Sequence, residues 1–167
     1  ALRQCTDDIH ATGAAASIQI GHCGNMSHKG ICGCTPISAS SGFNIYSPTL
    51  VRGMKKEEIV EMAKAFGQAV NMAREAGFDA VEVHAGHGYL ISQFLSPYTN
   101  HRKDEFGGSL ENRMRFMRMV MAEVMKAAGD DMAVLVKMNT RMDSGVGWRC
   151  RNVLKWPRHW KRQGFMP

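Results

Sequence analysis

A regular alternation of short apolar segments with long amphipathic ones is the feature that most constrains the fold of this chain. Segments 17–22, 80–84 and 133–137 have the length and side-chain pattern of β-strands. Segments 55–77 and 109–129 carry apolar residues at steps of three and four, the spacing of one helical face. A strand–helix–strand–helix–strand order predicts a parallel sheet in which helices connect neighbouring strands.

The segments outside this pattern give weaker signals. Residues 8–16 are predicted as a short Ala-rich helix, and residues 23–53 and 85–108 as two long loops. Ser109 is expected to cap the second long helix and Gly129 to end it. Loops of such length inside a compact domain are usually functional or disordered, so both loops are candidates for a site.

Polar side chains stand where each predicted strand ends. Gln19 and His22 end the first strand, His84 ends the second, and Lys137 and Asn139 end the third. In parallel sheets, active-site residues usually lie at the carboxyl ends of the strands, and the two long loops also leave from these ends. The pattern therefore favours the active face of a barrel-type enzyme.

The segment His84 to Tyr89 holds the densest group of reactive side chains. The imidazoles of His84 and His87 can converge on a carbonyl oxygen or small anion and stabilise negative charge on it, and Tyr89 can act as a general acid. Two other interpretations stay open at this point. The histidines can be hydrogen-bonded loop residues beside a core tyrosine, or ligands of a metal ion, although no acidic third ligand is near.

Two further residues are candidates for contact with a cofactor. Lys137 ends an apolar strand, so we expect a buried ammonium group that faces an anion or an electron-rich cofactor edge, or one that reaches solvent at the barrel rim. Gln19 can bond to a cofactor ring or cap a loop, and its position alone does not separate these roles.

The net charge of +6 is concentrated at the carboxyl end of the chain. Residues 142–167 contain six basic residues, one acid and all three tryptophans, which leaves residues 1–141 nearly neutral. This distribution argues against a nucleic-acid-binding protein. If one base is restored to the codon after Arg141, the shifted reading frame can encode a Gly-rich loop followed by an amphipathic helix. We therefore expect residues 142–167 to be a frameshifted tail without native structure.

The cysteines and the hydropathy bear on the compartment. Five irregularly spaced cysteines, no export signal and no membrane-length apolar run predict a cytoplasmic protein with reduced thiols. Cys23, Cys32 and Cys34 resemble part of a metal site, but no second pair completes four ligands, so no metal is expected.

Four motifs resemble the old yellow enzyme family of NAD(P)H:flavin oxidoreductases. They are SIQIGHCG over residues 17–24, HAGHGYLISQFLSP over 84–97, NHRKDEFGGSLENR over 100–113 and VKMN over 136–139. The likeness covers residues 1–141. It is greatest to the branch of 2,4-dienoyl-CoA reductases, enoate reductases and bile-acid-inducible enone reductases.

The resemblance implies an α/β fold. It implies part of a (β/α)8 TIM barrel, about strands three to five with their helices, over residues 1–141. Because a full barrel needs eight strands, the isolated chain is expected to be inactive. An iron–sulfur cluster and FAD would belong only to a C-terminal part that this sequence does not include. A homo-oligomeric full-length protein stays open.

The resemblance also implies roles for individual residues. Gln19 and Lys137 would contact FMN, and His84 and His87 would bind the carbonyl oxygen of an α,β-unsaturated substrate. Tyr89 would protonate the α carbon after hydride reaches the β carbon, with NAD(P)H as the electron donor. The substrate would be a small molecule, with an acyl-CoA or a steroid as candidates.

Other parts of the resemblance are less specific. Arg113 would brace the loop through Asp104 or Glu111. The open alternatives are a flavin amine dehydrogenase or demethylase and a metal-dependent barrel enzyme that uses His84 and His87.

Overall fold

The structure is a computed structural model that describes residues 1–46 and 48–139, so the predictions about residues 142–167 lie outside the described residues. Within these ranges the α-helices are α1 (Leu2–His10), α2 (Lys29–Cys32), α3 (Lys56–Glu75), α4 (Leu90–Leu95) and α5 (Leu110–Ala128), and Gly24–Met26 forms a short 3-10 helix. The strands are β1 (Ser17–Ile20), β2 (Ile37–Ser38), β3 (Gly42–Asn44), β4 (Thr49–Gly53), β5 (Ala80–His84) and β6 (Ala133–Lys137). In the described part of the chain, no helix is both long and apolar enough to cross a lipid bilayer.

The three predicted strands form one parallel sheet in the order β1-β5-β6. The helix α3 connects β1 to β5 through the intervening loop, and α5 connects β5 to β6. The predicted parallel sheet with helical connections is therefore confirmed. All three strands point the same way, so their carboxyl ends meet at one edge.

The two long helices cover one face of this sheet. Val81 and Val83 of β5 are fully buried, as are Ile59 of α3 and Phe116 and Val120 of α5. The helices α3 and α5 also pack against each other, and Gly67 allows a close approach because a Cβ atom there would lie 3.1 Å from the Glu123 carbonyl oxygen. The apolar stripes predicted from the sequence are thus the core.

The opposite face of the sheet carries the alternate side chains of the same strands. Gln19, Glu82 and Leu135 occupy one register row, and His84 and Lys137 the next. In β6 the residues on this face are exposed and those facing the helices are half-buried. In a closed barrel this face would line the interior.

Three predicted segments differ from the structure. The N-terminal helix spans residues 2–10 rather than 8–16, because the chain turns at Gly13 with a φ of 81°. The predicted loop 23–53 contains α2 and a small sheet in which β3 pairs antiparallel with β4 and β2 pairs parallel with it. The predicted loop 85–108 contains α4, whose six residues are all buried and therefore show no amphipathic period.

The predicted cap of α5 is present, since the Ser109 side chain accepts a hydrogen bond of 3.2 Å from the Asn112 backbone N–H. We expect Ser109→Ala to lower the free energy of unfolding by about 1 kcal/mol, because it leaves a helix N–H without its acceptor. Ser109→Asp should retain most of the stability. Urea unfolding of both variants checks this, and equal losses would show that the cap is not the cause.

Candidate active site

Two imidazoles meet at the carboxyl end of β5. His84 is the last residue of the strand and is 6% exposed. Its Nδ1 accepts a hydrogen bond of 3.1 Å from the Gly86 N–H, so a neutral His84 carries its proton on Nε2. That Nε2 lies 3.1 Å from Nδ1 of His87 and can donate to it. The predicted convergence of His84 and His87 is therefore present in the fold.

The backbone of His87 is held in an uncommon conformation. Its φ is 54°, in the left-handed region that a residue with a side chain seldom adopts. The Asn139 side chain stabilises this turn, because its Oδ1 accepts a hydrogen bond of 2.5 Å from the His87 N–H. A Cβ atom at Gly86 would lie 2.7 Å from the same oxygen. The sequence pattern placed Asn139 at this edge but gave it no such role.

Tyr89 packs its ring against one of the two histidines, His84. Its ring centroid lies 4.8 Å from that of His84, with the planes tilted by 34°. The residue precedes the first turn of α4, and its N–H donates a hydrogen bond of 3.1 Å to the Gly86 carbonyl oxygen. All three predicted side chains of the cluster thus lie together, on one tight turn after β5.

The first strand leaves room for His84 and anchors the turn after it. A Cβ atom at Gly21 would lie only 3.0 Å from the Cβ of His84, so glycine permits this approach. The His22 carbonyl oxygen accepts a hydrogen bond of 2.9 Å from the Leu90 N–H. Burial lowers the pKa of His22, whose Nδ1 accepts from the Gly24 N–H at 2.9 Å. These contacts give His22 a positioning role.

A buried glutamine, to which the sequence pattern gave no role, connects the separate parts of the site. Gln93 is 1% exposed, and its Nε2 donates to the Gly88 carbonyl oxygen at 2.6 Å and to the Cys23 carbonyl oxygen at 3.2 Å. Its Oε1 accepts from the Asn25 N–H at 3.1 Å and the Ser38 hydroxyl at 2.9 Å. Gln93 therefore links the histidine turn to the segment after β1 and to β2.

An arginine–carboxylate pair fixes the loop that follows α4. Arg102 donates two hydrogen bonds to the Asp104 carboxylate. Its Nε donates to Oδ1 at 3.0 Å, and a second guanidinium nitrogen donates to Oδ2 at 2.7 Å. The same guanidinium donates to the carbonyl oxygens of Ala39 at 3.0 Å and Met54 at 2.6 Å. The hydrogen bond from Arg102 lowers the pKa of the Asp104 carboxyl group. One side chain thus ties the loop to the ends of β2 and β4.

The expected brace by Arg113 exists, but its predicted partners are wrong. Its Nε donates to the Leu95 carbonyl oxygen at 2.8 Å, and a second nitrogen donates to the Gly108 carbonyl oxygen. Asp104 pairs with Arg102 instead, and Glu111 pairs with Arg118. Backbone carbonyl oxygens left at the end of α4 and before α5 therefore take the place of the expected carboxylates.

The two predicted cofactor residues lie on the open face of the sheet. The Gln19 amide donates a hydrogen bond to the Glu82 carboxylate, its register neighbour. Lys137 lies opposite His84 in register and is exposed in this chain. Of the two expectations for Lys137, the buried ammonium group is wrong for this chain and the one that reaches solvent agrees with the structure, because the strand alternation turns the side chain away from the helices.

Comparison with known proteins identifies the family. The sequence profile of the NADH:flavin oxidoreductase / NADH oxidase family matches residues 1–149. The chain belongs to this family. The predicted resemblance to the old yellow enzymes is thereby confirmed, and with it the assignment to a family of oxidoreductases.

Individual relatives agree with this assignment. The NADPH dehydrogenase of Bacillus subtilis (strain 168) is 39% identical over 141 residues, which cover 84% of this chain and 41% of the relative. The cinnamate reductase of Clostridium sporogenes is 39% identical over 141 residues, which cover 83% of this chain and 21% of the relative. The chain therefore spans between about a fifth and two fifths of the length of these two relatives.

Solved structures show the same fold. A 2-naphthoyl-CoA reductase in complex with 2-naphthoyl-CoA superposes with a TM-score of 0.87 at 32% identity, over 92% of this chain and 25% of that one. The histamine dehydrogenase from Rhizobium sp. 4-9 superposes with a TM-score of 0.86 at 29% identity, over 95% of this chain and 24% of that one. The predicted partial barrel is confirmed.

The protonation of His84 makes the stability of this family member depend on pH. Burial, the charge of His87 and the charge of Lys137 lower the pKa of His84 below its ordinary value of 6.5, against an opposite influence of Glu82. The unfolded chain then binds the proton more readily than the native chain. The stability that His84 contributes is therefore fully present above its pKa in the unfolded chain. It is lost as the pH falls below that value towards the pKa in the native chain.

We expect the free energy of unfolding to decrease between about pH 7.5 and 5.5, and His84→Gln to reduce that slope. Urea unfolding at several pH values measures it. His22→Gln should also reduce the slope, because burial lowers the pKa of His22 in the same direction, so the two single variants divide the pH dependence between the two histidines. A slope in His84→Gln equal to that of the unchanged chain would contradict the assignment to His84.

Proposed function

We propose that the protein containing this chain is an FMN-dependent oxidoreductase that reduces the C=C bond of an α,β-unsaturated carbonyl compound with electrons from NAD(P)H. The observation that carries the proposal is the cluster of His84, His87 and Tyr89 at the carboxyl end of β5. Family membership supports the redox chemistry. Cinnamate and 2-naphthoyl-CoA, the compounds in two relatives' names, both carry a C=C bond conjugated with a carbonyl group.

The residues on the open face of the sheet would suit an FMN ring. Gln19 carries an amide there and Lys137 a cation, and these two groups would hold the ring through its polar edge. An ammonium group suits the electron-rich side of a reduced flavin because opposite charges attract strongly where water is excluded. When bound, FMN supplies hydride to the β carbon of the substrate.

His84 and His87 would hold the carbonyl oxygen of the substrate. The Nε2–H of His84 is already a donor in the neutral form that its contact with Gly86 and its lowered pKa favour. An oxygen that enters beside the two rings replaces the contact between the imidazoles and accepts from His84 Nε2. It accepts from His87 as well when that ring carries a proton on Nδ1, the nitrogen that faces His84. Donors fixed in this way stabilise the negative charge that develops on the oxygen during reduction.

Tyr89 would deliver the proton to the α carbon. Its ring packs against that of His84, so a substrate held by the histidines lies within its reach. The phenolic O–H then acts as the general acid on the carbon that becomes electron-rich. The two histidines would thus bind the substrate oxygen, and Tyr89 would supply the proton.

The test uses the full-length protein. We expect purified protein to show a flavin absorption spectrum that NAD(P)H bleaches without oxygen and that a conjugated carbonyl compound restores. A panel with a simple enone, an enoate, an enoyl-CoA thioester and a steroid enone then identifies the substrate class. A folded full-length protein without flavin would contradict the proposal, as would a reduced flavin that no member of the panel reoxidises.

Amine oxidation is the second candidate, because the histamine dehydrogenase superposes on the described part of the chain with a TM-score of 0.86. In that case an amine would be the reductant, and it would bleach the flavin in the absence of NAD(P)H. Adding histamine and simple methylamines to the oxidised protein under argon distinguishes the two functions. Bleaching by an amine but not by NAD(P)H would favour the second.

A further inference from the structure

Two thiols lie side by side outside the proposed active site. The sulfur atoms of Cys32 and Cys34 are 3.9 Å apart, and both side chains are exposed. Only Gly33 separates the two residues in sequence. Neither thiol has a role in the proposed flavin chemistry.

The local fold brings these two side chains to the same side of the chain. Cys32 is the last residue of α2, and Gly33 ends that helix with a φ of 73°, in the left-handed region that glycine adopts readily. The Gly33 N–H donates a hydrogen bond of 2.9 Å to the Lys29 carbonyl oxygen, which closes the turn. The Cys32 thiol contacts the Cys34 carbonyl oxygen at 3.2 Å. The turn thus holds the pair in contact.

The two sulfur atoms are also electrostatically unequal. The hydrogen bond from Cys34 to Cys32, together with the charge of Cys32, raises the pKa of the Cys34 thiol, while the charge of Arg52 opposes this. Because the thiolate is the nucleophile, the raised pKa makes Cys34 the slower of the two sulfur atoms to attack a disulfide.

We propose that Cys32 and Cys34 form a redox-active dithiol that exchanges with small-molecule disulfides. The Cys32 thiolate attacks one sulfur of a disulfide R–S–S–R, which forms a mixed disulfide and releases the thiolate R–S⁻. Cys34, after loss of its proton, attacks the Cys32 sulfur and releases the second R–S⁻. The sum is one protein disulfide and two small thiols, so electrons and protons balance.

Metal binding is a poorer account of the same pair. Across residues 1–46 and 48–139, no group of three or more His, Cys, Asp or Glu side chains is arranged to hold a metal ion. Two sulfur ligands alone leave half of a tetrahedral site unfilled. Thiol–disulfide exchange needs only the two sulfur atoms that are present.

The test is mass spectrometry of the chain after incubation with oxidised glutathione, acid quenching and alkylation of free thiols. Trypsin releases residues 30–52 as one peptide that contains only these two cysteines. We expect this peptide to lose two hydrogen atoms and to carry neither glutathione nor an alkyl group. The disulfide fraction should exceed that of the chain in urea by roughly tenfold, since the native turn raises the effective concentration of one thiol near the other.

The same digest contains a matched control. Peptide 4–29 holds Cys5 and Cys23. Cys5 lies in α1, which contacts the end of α3 through Thr6, whereas Cys23 follows the opposite end of the sheet. This peptide should form no internal disulfide.

Single variants test the order of attack. The Cys34→Ser variant should retain glutathione on Cys32 as a mixed disulfide. The Cys32→Ser variant should form a mixed disulfide between Cys34 and glutathione more slowly. Equal disulfide fractions in the native chain and in urea would overturn the proposal, as would a wild-type peptide 30–52 that carries glutathione on both cysteines. Flavin is not needed for this readout, so it is independent of the proposed enzyme activity.

Discussion

Tyr89→Phe is expected to lower the rate at which a conjugated carbonyl compound reoxidises the reduced flavin by about 10²- to 10⁴-fold, the usual contribution of a general acid. Reduction of the flavin by NAD(P)H should be unchanged. Phenylalanine keeps the ring that packs 4.8 Å from His84 but has no proton to donate to the α carbon. Stopped-flow absorbance of the full-length protein measures the two half-reactions separately.

The matched control is Tyr98→Phe, because Tyr98 is 58% exposed and lies beyond α4. It should leave both half-reactions unchanged. An unchanged reoxidation rate in Tyr89→Phe would assign the proton to another group. A loss of both half-reactions together would instead indicate damage to the fold around His84, which the flavin spectrum reports.

The main sheet and its two long helices could be predicted from sequence because each is specified locally. The period of the apolar residues, the cap at Ser109 and the stop at Gly129 all indicate the same elements that the structure contains. The parallel order of β1, β5 and β6 then follows from the helices between them. In this chain the long periodic segments are therefore sufficient to predict the fold class.

The short elements could not be predicted because they have no period to detect. All six residues of α4 are buried, so polar and apolar faces do not alternate. The strands β2 and β3 have two and three residues, which is too few for an alternation to be significant. These elements depend on contacts with the rest of the fold.

The reactive cluster was visible in the sequence, but its supporting contacts were not. His84, His87 and Tyr89 lie on one turn and were predicted together. Gln93 and Asn139 act across 68 and 52 residues of sequence, and no local pattern marks such distant partners. A glutamine inside an apolar segment and an asparagine at the end of a strand were the available signals, since buried polar groups need partners.

Arg102→Leu is expected to lower the free energy of unfolding of the chain by about 3 kcal/mol, since breaking a largely buried ion pair leaves an uncompensated charge. The side chains of Arg102 and Asp104 are only 12% and 25% exposed. The carbonyl oxygens of Ala39 and Met54 also lose their donor. Arg102→Lys should lose less stability, because it keeps the charge but not the forked geometry. Urea unfolding measures both variants.

A double-variant cycle separates the pair from the carbonyl contacts. Arg115→Leu is the control for loss of an arginine, because its guanidinium bonds to the Glu105 carbonyl oxygen on the exposed surface. Adding Asp104→Leu to Arg102→Leu removes the unpaired carboxylate, so the double variant should be less destabilised than the sum of the single ones. The remaining deficit then measures the lost contacts to the two carbonyl oxygens together with the lost hydrogen bond from the Phe106 N–H to Asp104. Strict additivity, or an equal loss in Arg115→Leu, would show that Arg102 does not hold the loop in the way its geometry implies.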